Sequence, residues 1–314
     1  MSRTREFTLI LVLVFLLAVI AWQRSYMKEV AFAISRASDS DTETLASLFV
    51  RHVEQAKAAY IYDATDGIAL YEKNADIAFP VASLTKLMTA RVALENLGPD
   101  EIIAIASADL SAEGDTGLSS GEDWKLSDLL EVSLANSSND GISAIARIYK
   151  EKTGENIVAA MNREATMLGM NSFSFQNATG LDESGFSPNI GSAKDVAKLF
   201  RMFYENYPSM FAYTTMNDSS VARESGKIYL VKNTNPYAEE MYGLVASKTG
   251  FTRSAGGNLA TISFYGGHEI LTVFLGGTFS GRFTETLELL KDARLILEQR
   301  YIYAQIEREI LGKL

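Results

Sequence analysis

A serine and a lysine stand three positions apart in the segment FPVASLTKLM, at residues 79–88. Residues spaced i and i+3 in a helix lie on one face, where their side chains can touch. A serine hydroxyl is a weak nucleophile until a base removes its proton, and a lysine whose pKa is lowered by burial or by a nearby cation can be that base. Ser83 and Lys86 therefore predict an acyl-transfer site.

Two further motifs could complete such a site. Ser137-Ser138-Asn139 lies in a tight polar loop between two predicted helices. From there, Ser137 would relay a proton to a leaving amine, while Asn139 would hold a substrate amide and help to orient Lys86. Lys248-Thr249-Gly250 ends an apolar run of β type, so it can lie on a strand edge where a substrate backbone pairs. Lys248 is the cation expected to lower the pKa of Lys86.

Each motif occurs a second time, at Ser25 to Lys28, at Ser187-Pro188-Asn189 and at Lys152-Thr153-Gly154. The first copy follows an apolar N-terminal run, and the second lies in a looser loop. The third follows a helical segment in which a glycine is the expected C-cap. Any single motif also fits a helix cap or a turn. The site hypothesis therefore depends on three motifs occurring together and in order, namely Ser83 to Lys86, Ser137 to Asn139 and Lys248 to Gly250.

The composition excludes several other kinds of site. The chain has 314 residues, two histidines and no cysteine, which removes disulfides, thiolate nucleophiles and Cys-ligated zinc. Two histidines, His52 and His268, give little support to a Ser-His-Asp triad or to a His-rich metal site. We therefore predict neither a metal nor a cofactor. A net charge of −10 and a pI near 4.9 argue against a nucleic-acid partner, because such proteins concentrate Lys and Arg in basic patches.

An apolar run at residues 7–22 follows Arg3 and Arg5. As a helix it would be about 24 Å long, a little short of the roughly 30 Å hydrocarbon core of a bilayer. We expect residues 1–33 to be an uncleaved membrane anchor, with a cleaved signal peptide as the alternative. Residues 34–56 would be a polar tether and a short helix. Either alternative predicts a domain outside the cytoplasm, held at the cell membrane or exported.

Residues 57–314 are expected to form a single domain with strands at both ends. Two β-rich runs flank Asp66-Gly67, a strong hairpin signal, and three strands are predicted in LVASKTG, GNLATISFY and EILTVFLGG. Helices are predicted between these ends, at residues 83–97, 126–150, 155–168 and 192–205, and a long terminal helix follows. We therefore expect an α/β (α+β) fold, in which an antiparallel sheet of N- and C-terminal strands packs with helices beside a mostly helical lobe.

Six segments resemble, in order and spacing, the low-molecular-mass D-alanyl-D-alanine carboxypeptidases, the penicillin-binding serine peptidases of family S11. They are ASLTKLMTA, LSSGEDWKLSDLLEVSLANSSNDG, MNREATMLGMNSFSFQNATGLD, GSAKDVAKL, NTNPY and SKTGFTRSAGGNLAT. The resemblance covers residues 57–300 and implies a serine β-lactamase-like fold. Ser138 departs from the family, which usually has glycine there, and sequence for the family's extra C-terminal β domain is not found.

The resemblance implies both a substrate and further site residues. The substrate would be the D-Ala-D-Ala end of a peptidoglycan stem peptide, and β-lactams would acylate Ser83 as well. The backbone N–H groups of Ser83 and Phe251 would form the oxyanion hole. Lys248 and Thr249 are candidates to meet the terminal carboxylate, together with Arg282, which matches a Gly-Arg of the family.

Two other functions stay open. A serine β-lactamase shares the fold and the three motifs, but its deacylating E-x-x-L-N motif is not found here. A catalytically silent, membrane-tethered peptidoglycan-binding protein would keep the fold without turnover. Rapid hydrolysis of penicillin would favour the first alternative, and absence of D-alanine release would favour the second.

Overall fold

The structure is a computed structural model that describes residues 53–111, 117–184, 187–222 and 228–311, together with Trp22 and Phe49. It divides into two compact units. One is residues 49–291, and the other combines residues 1–48 with 292–314. The first unit holds the sheet and all the predicted site residues, while the described part of the second is Trp22 and the end of the last helix.

Most of the expected N-terminal anchor and tether lies outside the described residues, as do His52 and the Ser25 to Lys28 copy of the first motif. Within the part of the chain that the structure describes, no helix combines the length and apolar character needed to cross a bilayer.

Eleven strands and six α-helices are described. The strands are β1 (Ala58–Asp63), β2 (Ile68–Lys73), β3 (Phe79–Pro80), β4 (Ile102–Ala104), β5 (Asp123–Lys125), β6 (Ile190–Gly191), β7 (Asp218–Ala222), β8 (Ile228–Lys232), β9 (Leu244–Thr252), β10 (Gly256–Tyr265) and β11 (His268–Gly277). The helices are α1 (Thr85–Leu97), α2 (Leu126–Ala135), α3 (Asn139–Thr153), α4 (Ile157–Met167), α5 (Ala193–Asn206) and α6 (Gly281–Leu311).

A five-stranded antiparallel sheet in the order β2-β1-β11-β10-β9 carries the larger unit. Strand β1 pairs with β11, so strands from both ends of the chain share one sheet, as predicted. Strands β10 and β11 lie inside the sheet and are buried at most positions, including their polar residues Asn258, Thr261 and Thr272. Strand β9 forms one edge, with β10 as its single partner in this sheet.

The predicted hairpin at Asp66-Gly67 is present. Gly67 has φ +71°, a left-handed conformation that glycine adopts without steric penalty. Asp63 accepts the backbone N–H groups of Thr65 and Asp66 at 3.0 and 3.2 Å, which closes the turn. The hairpin signal in the sequence was therefore sufficient to predict this connection.

Helices α1 to α5 form the predicted helical part, and α5 packs on the sheet through β11 and β1. The helical segment at residues 126–150 consists of α2 and α3, which are separated at Asn136–Ser138 by the polar loop predicted between two helices. Three short two-stranded ribbons were not predicted, namely β3-β6, β4-β5 and β7-β8. Short strands of two to five residues carry too few alternations for a period to be recognised.

Candidate active site

Ser83 lies in a 3₁₀ turn, Ala82–Leu84, directly before α1 rather than inside the helix as the predicted span of 83–97 has it. Ala82 has φ +48°, an uncommon conformation for a residue with a side chain. Such strain persists only where neighbouring structure enforces it, and it concentrates at functional sites. The turn leaves the Ser83 side chain at the wall of a cleft.

Two glycines permit close packing around this turn. Gly180, at φ +83°, lies against the carbonyl of Ala82, and a Cβ at this position would collide with it. A Cβ at Gly250 of strand β9 would lie 2.9 Å from the Val81 carbonyl oxygen and 3.3 Å from the Ser83 nitrogen. The nucleophile turn is therefore packed between the 177–184 loop and the edge strand.

Lys86 is completely buried and has three hydrogen-bond acceptors around its amine. Its Nζ lies 2.8 Å from Ser83 Oγ, 2.8 Å from Asn139 Oδ1 and 2.6 Å from the Thr179 carbonyl oxygen. Burial lowers the pKa of Lys86 to about 7, so near neutral pH a large fraction of the amine is neutral. A neutral amine has a lone pair, and at 2.8 Å that lone pair can accept the proton of Ser83.

Lys248 and Ser137 form a second contact of the same kind. Lys248 Nζ lies 2.9 Å from Ser137 Oγ and 2.9 Å from the carbonyl oxygen of Thr249. Burial lowers the pKa of Lys248 well below its usual value, and repulsion from Lys86 and Arg282 lowers it further. Ser137 itself has φ +59°, a second strained residue at the cleft.

Lys248 was expected to lower the pKa of Lys86, but the effect appears on the other lysine. Repulsion from Lys86 contributes to the lowered pKa of Lys248, whereas burial accounts for the lowered pKa of Lys86. The two amines together carry less than two full charges near neutral pH.

Ser138, the position at which the sequence departs from its relatives, has an ordinary φ of −55° and caps α3. Its hydroxyl accepts the backbone N–H of Gly141 at 2.9 Å, the usual role of an N-cap serine. Asn139 is the first residue of α3, and its Oδ1 accepts a hydrogen bond from Lys86 Nζ at 2.8 Å. Serine is thus compatible with the loop geometry.

Thr249, Gly250 and Phe251 lie on the edge strand beside the cleft. Since Gly250 lies against the Ser83 turn, the backbone of Ser83 and the strand carrying Phe251 are neighbours. This placement is compatible with the expected oxyanion hole, which stays a prediction. The Phe251 side chain is 47% exposed at the cleft mouth.

Arg282, in the first turn of α6, is buried rather than solvated. Its Nη1 donates to the Gly250 carbonyl oxygen at 2.6 Å. The guanidinium carbon lies 4.6 Å from the ring centre of Phe279 and 4.5 Å from that of Phe283, distances at which a cation is attracted by the ring. Burial lowers its pKa to about 10, so the side chain is still a cation at neutral pH.

These residues converge on one open cleft of about 640 Å³. The predicted residues at its wall are Ser83, Ser137, Asn139, Thr249, Gly250, Phe251 and Arg282. Lys86 and Lys248 are buried behind Ser83 and Ser137, to which they are hydrogen-bonded. The structure thus brings together all nine residues that the sequence singled out.

The second copies of the motifs that fall on described residues lie elsewhere. Asn189 is buried, and its amide links Thr85 at 2.9 Å to the backbone of Asn177 at 2.9 Å, a scaffolding role. Lys152 pairs with Glu101 at 2.8 Å, and Gly154 caps α3 at φ +74°, as a helix end requires.

Asp63, Asp66 and His268 are a group of described residues whose side chains could hold a cation, with ligand atoms within 4.8 Å of one another. His268 Nδ1 lies 2.8 Å from Asp63 Oδ2, and the other Asp63 oxygen accepts backbone N–H groups. These contacts join two β-turns, and none of the three residues lines the cleft.

Three features of the site were missed from the sequence. The Thr179 carbonyl accepts from Lys86, and Thr234 lines the cleft. Thr179 lies in the segment NATG, and Thr234 lies in NTNPY. Both segments contribute to the resemblance to the family, but no catalytic or binding role was assigned to either threonine. The unpredicted β7-β8 hairpin adds Leu230 and Lys232 to the wall.

Comparisons with known proteins point to one family. The family model described as D-alanyl-D-alanine carboxypeptidase, Peptidase_S11, matches residues 48–278. A D-alanyl-D-alanine endopeptidase of Pseudomonas aeruginosa is 30% identical over 234 residues, which are 72% of this chain and 73% of the relative. The D-alanyl-D-alanine carboxypeptidase DacF of Bacillus subtilis is 27% identical, over 79% of this chain and 63% of the relative.

Solved structures show the same similarity. Penicillin-binding protein D2 from Listeria monocytogenes, crystallised in a cefotaxime-bound form, superimposes with a TM-score of 0.65 at 31% identity. The match covers 76% of this chain and 96% of that one. The chain therefore belongs to the D-alanyl-D-alanine carboxypeptidase family of penicillin-binding serine peptidases, and its antiparallel sheet with a helical lobe is the fold of that family.

Proposed function

We propose that this chain is a serine D-alanyl-D-alanine carboxypeptidase, which removes the terminal D-alanine of peptidoglycan stem peptides through an acyl-enzyme on Ser83. One observation carries the proposal. A buried amine with a pKa near 7, that of Lys86, lies 2.8 Å from the hydroxyl of Ser83 at the wall of an open cleft.

Acylation begins with proton transfer from Ser83 Oγ to neutral Lys86. Ser83 Oγ bonds to the carbonyl carbon of the penultimate D-alanine, and the carbonyl oxygen becomes an oxyanion. The backbone N–H groups of Ser83 and Phe251 would stabilise it, helped by the positive end of the helix that begins at Thr85. Asn139 limits the freedom of Lys86, because its Oδ1 accepts a hydrogen bond from the Lys86 amine.

Collapse of this intermediate breaks the peptide bond, and the departing nitrogen needs a proton. Ser137 would donate its hydroxyl proton to that nitrogen and recover one from Lys248, whose amine is 2.9 Å away. D-Alanine leaves. Water then attacks the ester carbonyl and passes a proton through Ser137 to the neutral amine of Lys248, while Lys86 returns its proton to Ser83 Oγ as the ester C–O bond breaks. A lowered lysine pKa serves both steps, because each needs an amine that gains or loses a proton near pH 7.

The terminal carboxylate of the substrate needs cationic or hydroxyl partners. Arg282 and Thr249 lie at the same end of the cleft, joined through the adjacent residue Gly250. The aromatic rings around Arg282 reduce competition from water, which strengthens its attraction for an anion. We assign these two residues to carboxylate recognition, while Lys248, which is buried behind Ser137, would act on the carboxylate through its charge alone.

β-Lactams would acylate the same serine. Penicillin-binding protein D2 from Listeria monocytogenes has been crystallised in cefotaxime-bound and ampicillin-bound forms. We expect a long-lived adduct on Ser83 of this chain, whereas rapid turnover of penicillin would favour the β-lactamase alternative. Mass spectrometry after incubation with penicillin identifies both the adduct and the N-terminus.

Residues 1–33 are proposed to hold the domain at the outer face of the cell membrane, or to be removed after export. The support is the apolar run at 7–22 that follows two arginines. Carbonate extraction of membranes distinguishes the two, because an anchored chain stays in the pellet and a processed one does not.

The decisive experiment measures D-alanine release from a stem pentapeptide. Wild type should release it, and Ser83→Ala should not. A matched control is Ser187→Ala, which removes the corresponding serine of the second Ser-x-Asn copy and should retain wild-type activity. Equal rates from wild type and Ser83→Ala would remove Ser83 from the mechanism, and no release by wild type would favour the silent binding protein.

A further inference from the structure

Thr234 connects the helix that precedes Ser137 to the edge strand that carries Thr249. Its backbone N–H and its hydroxyl both lie within hydrogen-bond distance of the Ala135 carbonyl, at 3.0 and 3.1 Å, at the end of the helix that precedes Ser137. Its Oγ1 also lies 2.6 Å from Oγ1 of Thr249 in the edge strand. Both threonines line the cleft.

The number of protons allows two arrangements of this network. Each hydroxyl carries one proton. If Thr234 donates to Ala135, then Thr249 must donate to Thr234, and Thr249 presents only lone pairs to the cleft. If Thr234 donates to Thr249, the proton of Thr249 is free to point at a ligand.

The second arrangement costs little in the protein. The Ala135 carbonyl keeps the Thr234 N–H at 3.0 Å in either case, so it is never left unsatisfied. An anion in the cleft would select this arrangement, because it is repelled by the lone pairs of Thr249 and attracted by its proton. Arg282 Nη1, bonded to Gly250 next to Thr249, adds positive charge on the same side.

We propose that Thr234 is a positioning residue that directs the hydroxyl proton of Thr249 toward the carboxylate of the acyl donor. The inference rests on the proposed function and deepens it, since it assigns recognition of the leaving group's carboxylate to a pair of hydroxyls beside the cation. Thr234 thereby links carboxylate binding to the end of the helix that precedes Ser137.

The test uses two N-acyl-D-alanyl thioesters that differ only in the leaving group. One releases thioglycolate, which has a free carboxylate, and the other releases the methyl ester of thioglycolate. Thr234→Val keeps the shape of the side chain but removes the hydroxyl, while Thr234→Ser keeps the hydroxyl. Thr272→Val is the control, because this buried hydroxyl on β11 has no hydrogen-bond partner within the described part of the chain.

Thr234→Val should lower kcat/KM for the carboxylate thioester about tenfold, the loss expected for a weakened hydrogen bond to a charged group. Its kcat/KM for the methyl ester should stay within about twofold of wild type, Thr234→Ser should restore the preference, and Thr272→Val should behave as wild type. If Thr234→Val does not fold, Thr234→Ala is measured on the same pair and should show the same selective loss.

An equal loss on both thioesters would indicate a merely structural role and overturn the inference, as would an unchanged kcat/KM for the carboxylate thioester. Either result leaves the proposed function intact, because wild type still forms the acyl-enzyme. Failure of the wild type to hydrolyse both thioesters and the stem pentapeptide would instead overturn the proposed function, and this inference with it.

Discussion

The amine of Lys86 lies 2.8 Å from the amide oxygen of Asn139, a residue 53 positions further along the chain. This contact joins the helix that begins after Ser83 to the first residue of α3. It holds Lys86 where Ser83 is also 2.8 Å away. The base is therefore positioned from two separate elements of the helical lobe.

Removing the Lys86 amine should abolish acylation. Lys86→Ala is expected to lower the rate of penicillin labelling by about a thousandfold, a typical loss for a general base. Lys86→Arg should not rescue it, because guanidinium stays protonated. Fluorescent penicillin labelling measures both, and Lys152→Ala, the exposed lysine of the second Lys-Thr-Gly copy, is the matched control. Normal labelling of either Lys86 variant would contradict the assignment.

Acylation should depend on pH through Lys86. The reactive form is the neutral amine, and the pKa of Lys86 is lowered to about 7. The acylation rate should therefore rise about tenfold for each pH unit below 7 and level off above it. Stopped-flow labelling between pH 5 and 9 measures the profile. A rate that is flat across this range would show that another group is the base.

Gly180→Ala should disrupt the nucleophile turn. The position has φ +83°, and a Cβ there would collide with the Ala82 carbonyl. Gly154 has a similar φ of +74°, but a Cβ there would meet nothing within 4 Å. We expect unfolding free energy to fall by about 3 kcal/mol for Gly180→Ala and about 1 kcal/mol for Gly154→Ala.

Urea denaturation compares the two glycine variants, and penicillin labelling reports on the turn. Gly154→Ala should label at the wild-type rate, while Gly180→Ala should label more slowly. If the two variants lose equal stability and label equally well, the close approach of Gly180 to Ala82 does not constrain the site.

Ser138→Gly tests whether the departure at this position matters for catalysis. The Ser138 side chain caps α3 by accepting the backbone N–H of Gly141. Ser138→Gly should keep wild-type labelling and lose about 0.3 kcal/mol of stability, whereas Ser138→Ala should lose about 1 kcal/mol. Thermal denaturation and labelling of both variants check this, and a large loss of labelling in Ser138→Gly would assign the hydroxyl to the chemistry.

Most of the nine candidate residues could be selected from the sequence because chemistry requires particular residue types in particular local settings, whereas Phe251 and Arg282 were implied only by the resemblance to the family. Ser83 and Lys86 are one helical turn apart, and the hairpin at Asp66-Gly67 is encoded in two adjacent residues. Lys152-Thr153-Gly154 could be set aside for the same reason, since a glycine after a helix is a local signal. A turn, a helix cap and a spacing of one helical turn each depend on residues that are close in the chain. A local sequence pattern is therefore enough to predict them.

Only the tertiary structure shows how segments that are distant in the sequence meet. It places Lys248 2.9 Å from Ser137 and Thr234 2.6 Å from Thr249. It also buries Lys86, which lowers the pKa of that lysine. The burial of a side chain and its distance from a partner depend on how helices and strands pack together. A single sequence carries no local pattern that records this packing. The residue types were therefore evident from the chain, while their electrostatics and proton network depend on the fold.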